Sequence, residues 1–276
     1  VTALAVSSAD QKRRVEALAV EEPLGIRVVV ELGGRSARHD VAVTMRTPGR
    51  DRELALGFLF SEGVVTERAG VARVRECEAP TAEAGSVVEV YLAPGSQFDV
   101  ERFRRNVYTS SSCGICGRAA IEQVRMICRP VAGPGPSVDR EILWRLPERL
   151  RAEQVGFAAT GGLHAAGLFD EAGSLLVLRE DVGRHNAVDK LVGRLLMDDK
   201  LPASDTMLMV SGRASFELVQ KAALAGIPFL AAVGAPSSLA VELGEELGMT
   251  IIGFLRDARC NVYCGAERLI GVGRGD

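Results

Sequence analysis

The last third of the chain alternates short apolar runs with longer amphipathic ones: "TMLMVS", "ASFELVQKAALAG", "PFLAAV", "SLAVELGEELG" and "TIIGFL", in that order from Thr206 to Leu255. Runs that are apolar at every position read as strands buried on both faces. The amphipathic segments between them read as the helices that cover those faces, and the pattern predicts a parallel α/β layer. Upstream, "LHAAGLFD" and "SLLVLRED" flank the turn "EAG" as a hairpin. After it, "DVGRHNAVDKLVGRLLM" places Val188, Leu191, Val192, Leu195 and Leu196 at helical spacing.

The first half has another rhythm. "GIRVVVEL" and "VAVTMRTP" read as strands around a Gly-rich turn, and "GRDRELALGFLFSEG" as a short helix carrying Leu54, Leu56, Phe58 and Leu59 and closed by Gly63. "VARVREC" and "SVVEVYLA" read as two more strands, and Arg118 to Cys128 as a helix. The segment "RPVAGPGPSVD" holds three prolines and marks a linker. The expected organisation is therefore a tail or short helix over 1–22, an α+β domain over 23–135 and an α/β domain over 136–276.

Lysine plus arginine number 33 against 36 aspartate plus glutamate, for a net charge of -3, so charge gives no argument for nucleic acid or an acidic membrane. No apolar run reaches the roughly 18 residues of a membrane span, and the first residues lack the basic-then-apolar order of a secretion signal. A cytoplasmic protein is expected. In that setting the six cysteines, at 77, 113, 116, 128, 260 and 264, are free thiols, metal ligands or catalytic groups rather than structural disulfides.

Cys113 and Cys116 stand in "TSSSCGICGRAAIE", among serines and glycines and just ahead of a predicted helix. One reading is half of a zinc site, completed by Cys260 and Cys264 of "CNVYC" with His164 or His185 as substitutes. Another is a redox dithiol, its thiolate favoured by the helix N-terminus and by Arg104, Arg105 and Arg118. A third is a sulfur carrier, in which the thiolate accepts a sulfane sulfur as a persulfide and yields it when a second thiol or the acceptor attacks. Small residues suit a segment that must move. An inert pair is the bland alternative.

Three other patterns carry polar chemistry. "DVGRHNAVDK" places Asp181, His185 and Asp189 on one side of a helix, so His185 points to the buried face and its polar neighbours are satisfied by one another or by a ligand; Asp181 also suits the helix N-cap. "VSGRASFE", with Arg213, and "VGAPSS" are strand-to-helix turns of the kind that bind anions at a sheet edge. A zinc nucleobase deaminase needs a Glu two residues after its His, and a Pro-Cys-x-x-Cys pair. His164 is followed by "AAG" and no such pair exists, which excludes deamination.

The motifs "SSSCGICG", "TGGLHAAGLF", "REDVGRHNAVDKLVG", "VSGRASFELVQKAALAGIP" and "APSSLAVELGEELGMTIIGFLR", with "TPGRDRELALGFLFSEGVV" before them, resemble in order those of the formate dehydrogenase accessory sulfurtransferase family, the FdhD type. The resemblance runs from about residue 22 to the end. It implies a sulfurtransferase that takes persulfide sulfur from a cysteine desulfurase and passes it to the molybdenum cofactor, in its bis(guanine dinucleotide) form, for formate dehydrogenase. By the same resemblance Cys113 bears the persulfide, with Cys116 beside it, and the cofactor-contacting stretch is Leu255, Arg256, Asp257, Ala258, Arg259 and Cys260. It further implies a homodimer whose C-terminal domain has the cytidine deaminase fold without its catalytic zinc. Cys264 departs from the family, which more often has Thr there. A molybdenum-cofactor chaperone using the CxxC pair only structurally, or for redox, is the alternative.

Overall fold

The computed structural model describes residues 1–6, 11–32, 35–77, 85–96, 98 and 128–271. The expected helix from Arg118 lies outside them, apart from its last residue, Cys128. Strands β1 (Thr2–Val6) and β2 (Gln11–Val15) form an exposed antiparallel hairpin where a tail or short helix was expected. The segment has no continuous apolar face for a helix to bury, and strand pairing satisfies its backbone without one.

Next come β3 (Glu22–Leu32), β4 (Arg35–Arg46), helix α1 (Asp51–Ser61), β5 (Val71–Cys77) and β6 (Ser86–Leu92), giving a sheet ordered β4-β3-β6-β5. Strands β3 and β6 run parallel, the other neighbours antiparallel. Leu24, Ile26 and Val28 alternate inward along β3 and are fully buried.

The second half opens with β7 (Val138–Asp139) and α2 (Arg140–Ala152), whose N-cap Asp139 accepts from the Glu141 N–H at 2.7 Å. Helix α3 (Val155–Thr160), β8 (His164–Phe169), β9 (Leu175–Asp181) and α4 (Arg184–Met197) follow. The alternation then runs as predicted: β10 (Met207–Val210), α5 (Phe216–Leu224), β11 (Phe229–Ala232), α6 (Ser238–Glu246) and β12 (Thr250–Arg256). Strand β13 (Arg259–Cys264) folds back on β12, and β14 (Leu269–Ile270) pairs with β7.

The six-stranded sheet is ordered β13-β12-β11-β10-β8-β9, with β10, β11 and β12 parallel and the others antiparallel to their neighbours. Every residue of β10 and β11 is buried, as strands covered on both faces require. Leu143, Leu146 and Leu150 of α2 pack on one face with Met207, Met209 and Phe229. Helices α4, α5 and α6 contribute to a larger core, which extends without interruption to Leu24, Ile26 and Val28 of the first sheet.

Helices α1 and α4 join the two halves at backbone contact. A Cβ on Gly57 would lie 1.8 Å from the Asp189 carbonyl oxygen, and one on Gly193 would lie 1.8 Å from that of Glu53. Glycine at both positions is what allows the crossing.

Candidate functional site at the strand ends

The parallel strands end in loops that are tied to one another. Ala214 and Pro236 form a parallel bridge beyond the strands, Gly234 N–H donates to Gly212 at 2.9 Å, and Phe254 N–H donates to Gly234 at 3.1 Å. Phe254 holds a left-handed backbone (φ 54) with its ring partly exposed, a costly conformation for an aromatic residue. Nothing in the sequence marked it, because β12 reads as an uninterrupted apolar strand.

On the rim beside these loops, His185 Nε2 lies 2.8 Å from Glu217 Oε2 and 3.2 Å from Ser215 Oγ. His185 is in the first turn of α4 and Glu217 in the first turn of α5, so two helix starts bring them together. The bond to His185, followed by desolvation that opposes it and then by the charges of His185, Lys221 and Arg184, holds the Glu217 carboxyl below the usual carboxylate range. His185 is half-buried at this rim rather than turned into the core. Its neighbour Arg184 has a buried Nε with no hydrogen-bond partner among the described residues.

The rest of "DVGRHNAVDK" is satisfied internally. Asp181 ends β9 rather than opening α4, whose N-cap is Gly183. Its buried carboxylate accepts from Thr47 N–H at 3.2 Å, Gly183 N–H at 2.9 Å and Asn186 Nδ2 at 3.0 Å, and pairs with Lys190 Nζ at 2.7 Å. Lys190 donates also to the Thr47 carbonyl at 2.8 Å, and Asn186 to that of Met45 at 2.8 Å. One turn on, Asp189 accepts from Ser61 at 3.0 Å and pairs with Lys221 at 2.6 Å. These groups fasten α4 to the segment around α1.

The stretch Leu255–Cys260 straddles the β12–β13 hairpin. Leu255 is fully buried in the α2 core, whereas Arg256, Asp257, Ala258 and Arg259 are exposed at the tip. Asp257 and Ala258 both have φ 51, the geometry of a tight two-residue hairpin turn. Arg259 Nη2 lies 3.8 Å from Asp257 Oδ2, an exposed pair that leaves the guanidinium open to an anion.

Cys113 and Cys116 lie outside the described residues. Cys260 packs against the α2-side core and Cys264 against the larger core on the other face. A register shift between Ile251 and Ile252 inserts Tyr263 into β13 and turns the two cysteines apart. Burial pushes both thiols up, Cys264 to about 11. Among the described residues no three of His, Cys, Asp and Glu come together as a metal site.

The FdhD/NarQ family profile matches residues 20–270. The chain belongs to that family. It is 53% identical over 261 residues, 93% of this chain and 90% of the relative, to the sulfur carrier protein FdhD of Streptomyces coelicolor. It is 44% identical over 252 residues, 91% and 90% of the two chains, to the protein of that name from Saccharolobus solfataricus. The fold matches the crystal structure of a candidate formate dehydrogenase accessory protein from Desulfotalea psychrophila, with TM-score 0.73 and 23% identity over 98% of both chains. No helix among the described residues is long and apolar enough to cross a membrane.

For this FdhD/NarQ member, sequence reasoning also missed the start of α3. Glu180, in the hairpin strand β9, accepts from Gly156 N–H and Phe157 N–H, each at 2.8 Å, and so caps a helix 24 residues upstream. "RED" offered no local signal, because the capped helix meets Glu180 only in the folded chain.

Proposed function

We propose that this protein is a sulfurtransferase that carries persulfide sulfur on Cys113 from a cysteine desulfurase to the molybdenum cofactor in its bis(guanine dinucleotide) form, making formate dehydrogenase active. What carries the reading is the pair in "SSSCGICG" in a chain 53% identical to a protein described as a sulfur carrier. The Cys113 thiolate attacks the terminal sulfur of the desulfurase persulfide. A new S–S bond forms on Cys113 and the desulfurase leaves as its thiolate. Attack by Cys116 on the inner sulfur then releases the terminal atom as hydrosulfide and leaves a Cys113–Cys116 disulfide, which an external dithiol reduces.

The cofactor is cargo, and the charges at the strand ends suit its phosphates. Arg256 and Arg259 are exposed, and Arg184 keeps a buried guanidinium nitrogen unpaired among the described residues. Planar guanidinium forks match phosphate oxygens. In this reading residues 23–135 bring the sulfur and residues 136–276 hold the cargo, on a sheet whose order, with its antiparallel β8, accords with the cytidine deaminase fold. We further place the protein in the cytoplasm, as a homodimer.

The test is intact-mass measurement after incubation with a cysteine desulfurase and cysteine. An addition of about 32 Da, mapped to the Cys113 peptide and absent from Cys113→Ser, is expected. A chaperone with a structural or redox pair would still mature its client when Cys113 is replaced by Ala, and that outcome would displace the sulfurtransferase reading.

A further inference from the structure

The end of α1 carries an acidic group that takes no part in the pairs joining that helix to α4. Glu62 is the C-cap residue of α1, its N–H donating to the Phe58 carbonyl at 3.0 Å, and Gly63 turns the chain away with a left-handed backbone (φ 71). The C-terminal end of a helix carries partial negative charge, and cations suit its last turn. The last turn of α1 has none. A carboxylate at this position stands against the field of its own helix.

Its neighbours add to the mismatch. Asp189 of α4 and Glu217 and Lys221 of α5 face Glu62 from the second half. Lys221 is the one cation among them, buried and already committed to Asp189 Oδ1 at 2.6 Å, an oxygen that also accepts from Ser61 Oγ at 3.0 Å. Glu217, one turn before Lys221 on α5, is held at 2.8 Å by His185, which reaches it from the first turn of α4. Three carboxyl groups thus share one buried ammonium and one imidazole, and among the described residues Glu62 is the one without an ion pair.

The cluster resolves this by protonation. Burial opposes the Glu62 charge most, Lys221 offsets part of that, and the charges of Asp189 and Glu217 oppose it again, so its carboxyl is pushed above the usual carboxylate range. Burial also opposes the charge of Lys221, but Asp189, Glu62 and Glu217 outweigh it and keep the ammonium protonated.

We propose that Glu62 is a proton-operated latch between the two halves: neutral, it seals the end of α1 against α4 and α5; ionised, it adds a charge that the cluster cannot match and loosens that end. The crossing of α1 and α4 at Gly57 and Gly193 leaves no slack to absorb such a change. A carboxyl raised on folding contributes stability that is fully present below its unfolded pKa and is lost as the pH rises through its folded value. The latch therefore tightens in mild acid, opposite in sense to the pair of Glu217 with His185, and it is independent of the sulfur-transfer reading.

Urea unfolding of the intact protein and of Glu62→Gln, between about pH 4 and about pH 9, tests the latch. The variant cannot ionise, so the ratio of its folding constant to that of the unaltered protein should grow at least about tenfold, the equivalent of one pKa unit, as the pH rises above the ordinary carboxylate range. A ratio that is flat or shrinks with pH overturns the proposal. If Glu62→Gln does not fold, carbon-13 titration of the side-chain carboxyl in the unaltered protein decides: a midpoint above the ordinary range supports the latch and one within it overturns it. Loosening is read by amide exchange at Gly63, whose N–H donates to Phe60 at 3.0 Å. Its protection should fall with rising pH in the unaltered protein and hold in the variant. Equal protection in both would show a displaced titration that moves nothing, and would overturn the latch.

Discussion

The joint between α1 and α4 and the rim at the strand ends are both rich in charge, and they use it oppositely. At the joint, Asp181, Lys190, Asp189 and Lys221 are nearly inaccessible and every charge has a partner within 2.7 Å. At the rim and at the N-cap of α3, Arg184 Nε and Gln154 Nε2 are buried and unpaired among the described residues, Arg256 is exposed, and Phe254 is held in a strained backbone. Polar groups that satisfy one another hold a fold together; buried ones left over are where a ligand is expected. The two regions share a single motif, since "DVGRHNAVDK" supplies Asp181 and Lys190 to one and Arg184 and His185 to the other.

The sharpest break of this contrast is Asp181→Ala. It strands the Lys190 ammonium, 2% exposed, and should cost about 3–5 kcal/mol by urea unfolding. Adding Lys190→Met removes the stranded charge and should recover most of that loss. A loss below about 1 kcal/mol for the single variant would mean that the joint is not what binds the halves. Rim substitutions such as Arg256→Ala should stay within about 0.5 kcal/mol in the same assay.

Glu180→Gln should act locally. It weakens two charge-assisted bonds at the start of α3, worth about 1.5–3 kcal/mol each to that element. Faster amide exchange at Gly156 and Phe157 is expected, with little change in the global transition. Unchanged exchange at both amides would show that α3 is held by its packing instead.

The parallel layer was legible because burial on both faces forces unbroken apolar runs, and "TMLMVS", "PFLAAV" and "TIIGFL" became β10, β11 and β12. The helix carrying Leu54, Leu56, Phe58 and Leu59 became α1 for the same kind of reason. Asp181 closes the predicted strand "SLLVLRED" and also suits the N-cap of the helix that follows, because both positions favour a short carboxylate before a helix; the pairing of His164 with Asp181 decides for the strand. The Gln154 Nε2, without a partner among the described residues, was invisible, since the α3 N–H groups it could have approached are held by Glu180, which is remote in sequence. The cysteine pair was the clearest motif of all, and Cys113 and Cys116 lie outside the described residues.

Acid should probe the rim through Glu217. The Glu217 carboxyl is depressed, chiefly by its bond to His185. A carboxyl depressed on folding contributes stability that is present above its unfolded pKa and is lost as the pH falls through its folded value. Stability attributable to Glu217 should therefore decline below the ordinary carboxylate range, and Glu217→Gln should flatten that part of the profile. An identical acid limb in the variant would refute the pairing.

The smallest effect is expected at Cys264. Burial pushes its thiol from 9.0 up to about 11, so near pH 8 its thiolate fraction, and with it the rate of alkylation by iodoacetamide, should be about a hundredfold below that of an ordinary thiol. Unfolding in urea should restore the rate. Cys264→Thr should change stability by less than about 1 kcal/mol, because the Ile251 backbone group that bonds the sulfur can bond a hydroxyl in its place. The same variant should leave the mass gain on Cys113 unaltered. Alkylation of native Cys264 at the rate of a free thiol would move it from the satisfied part of the molecule to the reactive part, and would make it a candidate third thiol in sulfur transfer.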